Sequence, residues 1–150
     1  MKQIPLTQGY VAFISDCDAA EVGKYKWCAA RIKNHVYAVT GTRDTRKAMH
    51  RFIAGLAGMD TSHFIDHRDR NGLNNTRRNL RPATRTQNTQ NQKGNRKCLG
   101  VCRSANGKNW RSHIKAFGRR IHLGTFRTKA EALAARRKAE RKYFKDFAPR

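Results

Sequence analysis

Residues 89–97 read Thr-Gln-Asn-Gln-Lys-Gly-Asn-Arg-Lys, a run with a glycine and no apolar side chain. Such a run has nothing to bury and marks a break between folded segments. In a chain of 150 residues, of which 38% are hydrophobic, that break leaves room for small divided cores rather than one large one. The expected organisation is residues 1–92, a linker at 93–97, and a second domain over 98–150.

The partners are bounded by charge. The chain has 33 Lys and Arg against 10 Asp and Glu, a formal net charge of +23. That excess suits nucleic acid, an anionic membrane surface or an acidic protein. No apolar run approaches the ~20 residues of a membrane span. Met1-Lys2-Gln3-Ile4-Pro5 lacks the apolar stretch of a signal peptide. A cytoplasmic nucleic-acid-binding protein is therefore expected. A disordered basic tail is not, because two Trp, four Tyr and seven Phe are spread along the chain. Residues 1–48 are net +4, residues 49–97 net +7 and residues 98–150 net +12, so the last third is the strongest electrostatic footprint.

The four cysteines do not make a zinc finger. Cys98 and Cys102 lie four apart, with His113 and His122 beyond them. The gap from Cys102 to His113 and the gap between the histidines both miss the two-Cys, two-His spacing. Disulfides are not expected in a cytoplasmic setting.

Tyr10–Ile14 and His35–Thr40 are apolar, β-prone runs and read as strands. Ala19–Tyr25 suits one helical turn ending at Gly23, and Tyr25 and Trp27 are expected in the core. No chemistry is visible in this first segment. Over residues 49–60, Met49, Phe52, Ile53 and Leu56 fall at helical spacing, with His50 off that stripe. Phe64-Ile65 then leads into Asp66-His67, a polar loop from Arg68 to Arg78, and a short strand anchored by Leu80. Thr84 and Gln87 form a capping-box pattern that starts a helix running to about Gln92.

In the last third, Arg111, His113 and Lys115 alternate with Trp110, Ser112 and Ile114, while Arg120 and His122 alternate with Ile121 and Leu123. Period-two alternation gives an antiparallel sheet with one basic and one apolar face. Asn106-Gly107 signals a tight turn between strands. Thr128 and Glu131 form a second capping box, opening a helix to about Phe144 with Ala132, Ala135, Ala139 and Tyr143 along one side.

Phosphodiester hydrolysis needs a water, a group to take its proton and a cation at the phosphate. His67 can accept a proton near neutral pH. Asp66 and Asn88 offer hard oxygen donors, which suit Mg²⁺ or Mn²⁺ rather than zinc. Adjacent residues on a strand point to opposite faces, so Asp66 and His67 need either a distortion or different jobs.

Asp66-His67, Leu73-Asn74-Asn75, Asn79-Leu80-Arg81-Pro82-Ala83-Thr84 and Asn88, with His50-Arg51 upstream, resemble the HNH endonucleases, above all the branch found in phages and mobile introns. The likeness spans about residues 45–92. It implies a ββα-metal module with its motif core over residues 63–92. His67 would be the general base, Asp66 and Asn88 the ligands of one divalent ion, and Asn79 a catalytic-site residue that braces the loop. Arg68 and Arg70 stand where Ile and Gly are usual in that pattern.

Gly100-Val101, Trp110, Ile114, Leu123-Gly124-Thr125-Phe126 and Glu131-Ala132 resemble the Apetala-two (ethylene-response-factor) DNA-binding domain. This implies three antiparallel strands packed on one helix, with the sheet in the major groove of double-stranded DNA. Plant versions carry Arg at the position of Cys102 and Trp at that of His122, so base contacts there do not transfer. The expected DNA contacts are Arg103, Arg111, His113, Lys115, Arg120 and His122. The basic helix positions Arg136, Arg137, Lys138, Arg141 and Lys142 are expected to face phosphate or solvent.

Together these features predict an α+β protein: an N-terminal β segment, an HNH nuclease module, then a three-stranded sheet on one helix. The expected activity is metal-dependent DNA cleavage by a free-standing phage homing endonuclease, acting as a monomer in the host cytoplasm without an organic cofactor or membrane. A non-enzymatic DNA-binding regulator, or a restriction-type or nonspecific nuclease, is the alternative.

Overall fold

The computed structural model describes residues 1–32, 34–42, 45–91 and 100–148. The proposed linker at 93–97, and Cys98, lie outside these residues. The chain divides into two compact units, Met1–Asn88 and Thr89–Arg150.

In the first unit β1 (Lys2–Pro5) pairs antiparallel with β2 (Val11–Ile14). A helical turn, α1 (Ala19–Gly23), follows. Strands β3 (Cys28–Ile32), β4 (His35–Thr40) and β5 (Lys47–Ala48) form an antiparallel sheet with β4 in the middle. Helix α2 (Met49–Leu56) buries Met49 and Ile53 against Ala12, Ile14, Val22, Trp27, Ile65 and Leu80, so the helical stripe and the β-prone runs supply one core. The helix stops short of residue 60 because Gly58 turns left-handed, with φ +68°.

Tyr25 departs from expectation. Its side chain is exposed, although its ring meets Phe52 edge-on at 5.3 Å and Trp27 at 6.1 Å. Trp27 alone is buried, its indole nitrogen donating to the Val22 carbonyl at 2.9 Å. A phenol can keep its hydroxyl in water while lending one ring face to the core; an indole this deep needs an internal acceptor.

Strands β6 (Phe64–His67) and β7 (Leu80–Ala83) make an antiparallel ribbon, and α3 (Arg85–Asn91) follows directly. The Thr84 cap forms in both directions: the Thr84 amide donates to Gln87 Oε1 at 2.8 Å, and the Gln87 amide to Thr84 Oγ1 at 3.3 Å.

In the second unit β8 (Val101–Arg103), β9 (Trp110–Ala116) and β10 (Arg119–Phe126) form an antiparallel sheet with β9 central. Helix α4 (Lys129–Phe144) begins at the Thr128–Glu131 capping box. Ile114, Ala116, Ala139 and Phe144 form its core, with Ile121, Leu123 and Tyr143 packed around them. Gly100 is required where it stands. Its φ is +68°, and a Cβ there would lie 2.2 Å from the His113 carbonyl oxygen. The whole is an α+β architecture of small sheets and short helices.

Candidate active site

Register fixes where the Asp66-His67 pair points. Asp66 sits opposite Arg81 and His67 opposite Leu80, with no bulge, so the two side chains leave opposite faces of the ribbon. Both are buried. They meet different partners.

Arg81 holds Asp66: its Nε and Nη2 donate to Oδ2 at 2.9 and 2.7 Å. The guanidinium is itself buried, so each charge is the other's compensation. Nothing in the sequence marked Arg81 as a site residue. The signal was there in strand pairing, since positions 66 and 81 meet once residues 67 and 80 do.

His67 Nε2 lies 3.1 Å from Asn75 Oδ1. Asn75 is wholly buried, and its Nδ2 donates to the Leu73 carbonyl at 3.2 Å. That bond turns the amide so that its oxygen faces the imidazole. An amide oxygen only accepts, so Nε2 carries the proton and Nδ1 is the basic nitrogen. Burial pushes the imidazole below its ordinary pKa, against the Asn75 bond and the Asp69 and Asp66 charges, which act the other way. A neutral ring at neutral pH is the form a general base needs.

Asn79 braces the loop between the strands. Its Nδ2 donates to Asp69 Oδ1 at 2.9 Å and to the Asn74 carbonyl at 2.7 Å, and its Oδ1 accepts from the Asp69 amide at 3.1 Å. Arg70 takes the left-handed conformation, φ +65°, where a glycine would sit without strain.

The N-terminal segment, which showed no chemistry in the sequence, holds this loop from outside. The Phe13 amide donates to the Leu73 carbonyl at 2.8 Å, and the Asn75 amide to the Phe13 carbonyl at 2.7 Å. The Arg77 amide donates to Ser15 Oγ at 3.0 Å, and its guanidinium grips the buried carboxylate of Asp18 at 2.6–3.1 Å. Gly72 packs so closely on β4 that a Cβ would lie 2.4 Å from the Val36 carbonyl oxygen and 2.8 Å from the Tyr37 ring.

An aromatic cluster surrounds His67. The His50 ring centroid lies 5.1 Å from that of His67, and Tyr37 is 5.8 Å from His50 and 6.1 Å from His67. His50 Nδ1 is buried with no hydrogen-bond partner among the described residues. Burial, then the charges of His67 and Arg51, push its pKa down to about 3.

Asn88 lies half-buried on α3, its amide donating to the Thr84 carbonyl at 2.9 Å as part of the helix. Among the described residues no group of three or more His, Cys, Asp or Glu is arranged to hold a metal ion. The expected donors, one carboxylate and one amide oxygen, are a different kind of set.

On the second unit the register sets cross-strand neighbours on the face away from α4. Arg120 stands opposite Lys115, His122 opposite His113, and Arg111 between Cys102 and Thr125. Arg120 Nη2 donates to His113 Nδ1 at 3.1 Å, so that nitrogen is unprotonated. Burial and the Arg120, Arg136 and His122 charges push the His113 pKa down accordingly. Opposing Arg120 and Lys115 costs the sheet stability, which a purely structural face would avoid.

Two residues fall elsewhere. Arg103 pairs with Trp110, not Arg111, and so lies on the opposite face, its guanidinium 5.0 Å above the indole. Arg136 leaves the solvated helix face: Nε meets Glu140 at 2.8 Å and Nη1 donates to the His113 carbonyl. Cys17, Cys28 and Cys102 are free and exposed.

The first unit therefore combines a buried imidazole, a tightly cross-bonded Asp/Asn loop and a paired carboxylate. The chain is 29% identical over 144 residues, covering 94% of its length and 74% of the relative's, to an uncharacterized HNH endonuclease of Acanthamoeba polyphaga mimivirus. That likeness supports a nuclease of the HNH kind. No protein-family model and no solved structure matches the chain.

Proposed function

We propose that the protein is a metal-dependent DNA endonuclease of the HNH type, acting as a free-standing phage homing enzyme. The observation that carries this reading is the 3.1 Å contact of buried His67 Nε2 with Asn75 Oδ1, whose amide is oriented by the Leu73 carbonyl and so assigns the proton to Nε2. His67 Nδ1 takes the proton of the attacking water. Asn75 keeps the ring oriented, and Asn79 with Asp69 keeps the loop in shape. The products carry 5′-phosphate and 3′-hydroxyl ends.

Asp66 and Asn88 are the residues that would hold the divalent ion, and their hard oxygens fit Mg²⁺ or Mn²⁺. Arg81 already neutralises Asp66, so ion and guanidinium would share one carboxylate. A bound ion would polarise the scissile phosphate and stabilise the departing oxygen. The exposed cations Arg111, Lys115 and Arg120 hold the duplex, and the opposed Arg120–Lys115 pair supports that role.

Nicking of supercoiled plasmid with Mg²⁺, with Mn²⁺ and with EDTA tests the reading. Cleavage that EDTA stops is the expected result. DNA binding without cleavage in either metal would leave a non-enzymatic regulator. Mapping cut sites on a long DNA separates a homing enzyme, with few sites, from a nonspecific nuclease.

A further inference from the structure

Strand β9 ends at Ala116 and β10 begins at Arg119, and these two residues pair, so the hairpin turn is Phe117-Gly118 alone. Both turn residues have positive φ, +52° and +73°. This is the two-residue turn that matches sheet twist, and its first position favours Asn, Asp or Gly. A bulky side chain is an outlier there. Phe117 is also 81% exposed, the barest large hydrophobic side chain among the described residues. Its ring touches the edge of Tyr143, centroids 6.2 Å apart, and gains little burial from it. The residue thus strains the turn and wets an aromatic ring, and the fold recovers neither cost.

The surroundings are cationic. Lys115, Arg119 and Arg120 are exposed on the strands entering and leaving the turn, and Lys142 Nζ lies 5.5 Å over the Tyr143 ring. No Asp or Glu occurs between Asp69 and Glu131. A ligand matching this tip must offer flat apolar faces beside regular negative charge. Bases flanked by phosphates do.

We propose that Phe117 is a DNA-contacting side chain that stacks on a base step of the duplex held by this sheet. The proposal rests on the DNA-holding role given to the sheet above. It goes further in assigning the contact to an uncharged residue at the turn, outside the cationic face.

The test is Phe117→Asn in the full chain, with Phe117→Trp beside it. Asn suits the left-handed turn, so the Tm should hold or rise. Affinity for a labelled mixed-sequence duplex should fall roughly 5- to 150-fold, the range for losing one stacked base. The salt dependence should keep its slope, because no charge has been removed. Phe117→Trp, which keeps a stacking face, should retain affinity. Equal duplex affinity of Phe117→Asn and the unaltered chain, with a lowered Tm, would make Phe117 a packing residue and overturn the proposal alone. Absence of duplex binding by the unaltered chain would overturn the DNA reading and the proposal with it. Phosphatidylserine vesicles are the third arm: vesicle binding lost in Phe117→Asn while duplex binding stays intact would reassign the tip to a membrane surface.

Discussion

In residues 1–88 charged and polar side chains are turned inward. Asp18, Asp66, His67, Asn75, Asn79 and Arg81 are buried, each with a named partner. In residues 100–148 the ordering is reversed: Arg111, Lys115, Arg120 and His122 stay exposed, and apolar residues fill the space behind them. Buried polar groups hold one geometry because every alternative leaves a desolvated atom unpaired. Exposed cations tolerate substitution and respond to salt. Chemistry that needs an oriented base belongs to the first arrangement, and attraction of a polyanion to the second. Substitutions should therefore separate cutting from holding.

The largest separation is expected from His67→Ala. Removing the base should lower cleavage by ~10²–10⁴. DNA affinity should barely move in a chain at net +23. Single-turnover cleavage and filter binding on the same preparation check this. A variant that cuts at the unaltered rate would remove His67 from the mechanism.

Next is the buried ion pair. Arg81→Leu takes the guanidinium away from the buried Asp66 carboxylate and should cost about 3–5 kcal/mol of stability, read from the urea midpoint. The double variant Asp66→Leu/Arg81→Leu should recover most of that loss, because two apolar side chains replace a desolvated pair. It should still not cleave, having lost the carboxylate. If the double variant is no more stable than the single one, the pair is not acting as a unit.

What the sequence revealed and what it hid divide along the same line. The Thr84–Gln87 and Thr128–Glu131 caps, the His35–Thr40 strand and the alternation around Ile114 were legible because each is decided within a few residues. Asn79 as the loop brace was legible only through the family resemblance. Asn75 and the Asp18–Arg77 pair were hidden because their partners are set by tertiary approach, 59 positions apart in the last case, whereas Arg81 follows from the β6–β7 register once that pairing is drawn. An Asn in a polar loop reads as solvated until the fold buries it. The face that Arg103 joins was not legible for a simpler reason: it depends on pairing register, and one step exchanges Arg111 for Trp110.

Within the second unit, sheet and helix should also separate in DNA binding. Arg111→Ala or Arg120→Ala should each cost roughly 1–3 kcal/mol where the side chain reads a base, and should blur sequence preference. Arg137→Ala or Lys142→Ala on α4 should weaken all duplexes alike or change nothing. Titrations against several duplexes at two salt concentrations distinguish these patterns. Loss of preference from the helix variants, with silent sheet variants, would move the reading face from the sheet to the helix.

The last effect concerns acid. His50 is held at about 3 in the folded chain against 6.5 as its ordinary value. Below about pH 6.5 the unfolded chain takes a proton on His50 that the folded chain refuses. Stability is therefore full above 6.5 and declines as pH falls toward 3, by about 1.4 kcal/mol per pH unit for this one group. His67, also pushed down by burial, adds a loss of the same sign. His50→Phe keeps an aromatic ring beside Tyr37 and His67 and removes the titration. Urea midpoints at pH 7 and pH 5 should then draw apart less in His50→Phe than in the unaltered chain. Salt-bridge loss on acidification has the same sign, so the difference between the two proteins is what isolates His50. Equal acid losses in the two proteins would mean that His50 accepts its proton in the folded state, and that the imidazole cluster is wetter than the packing of its rings implies.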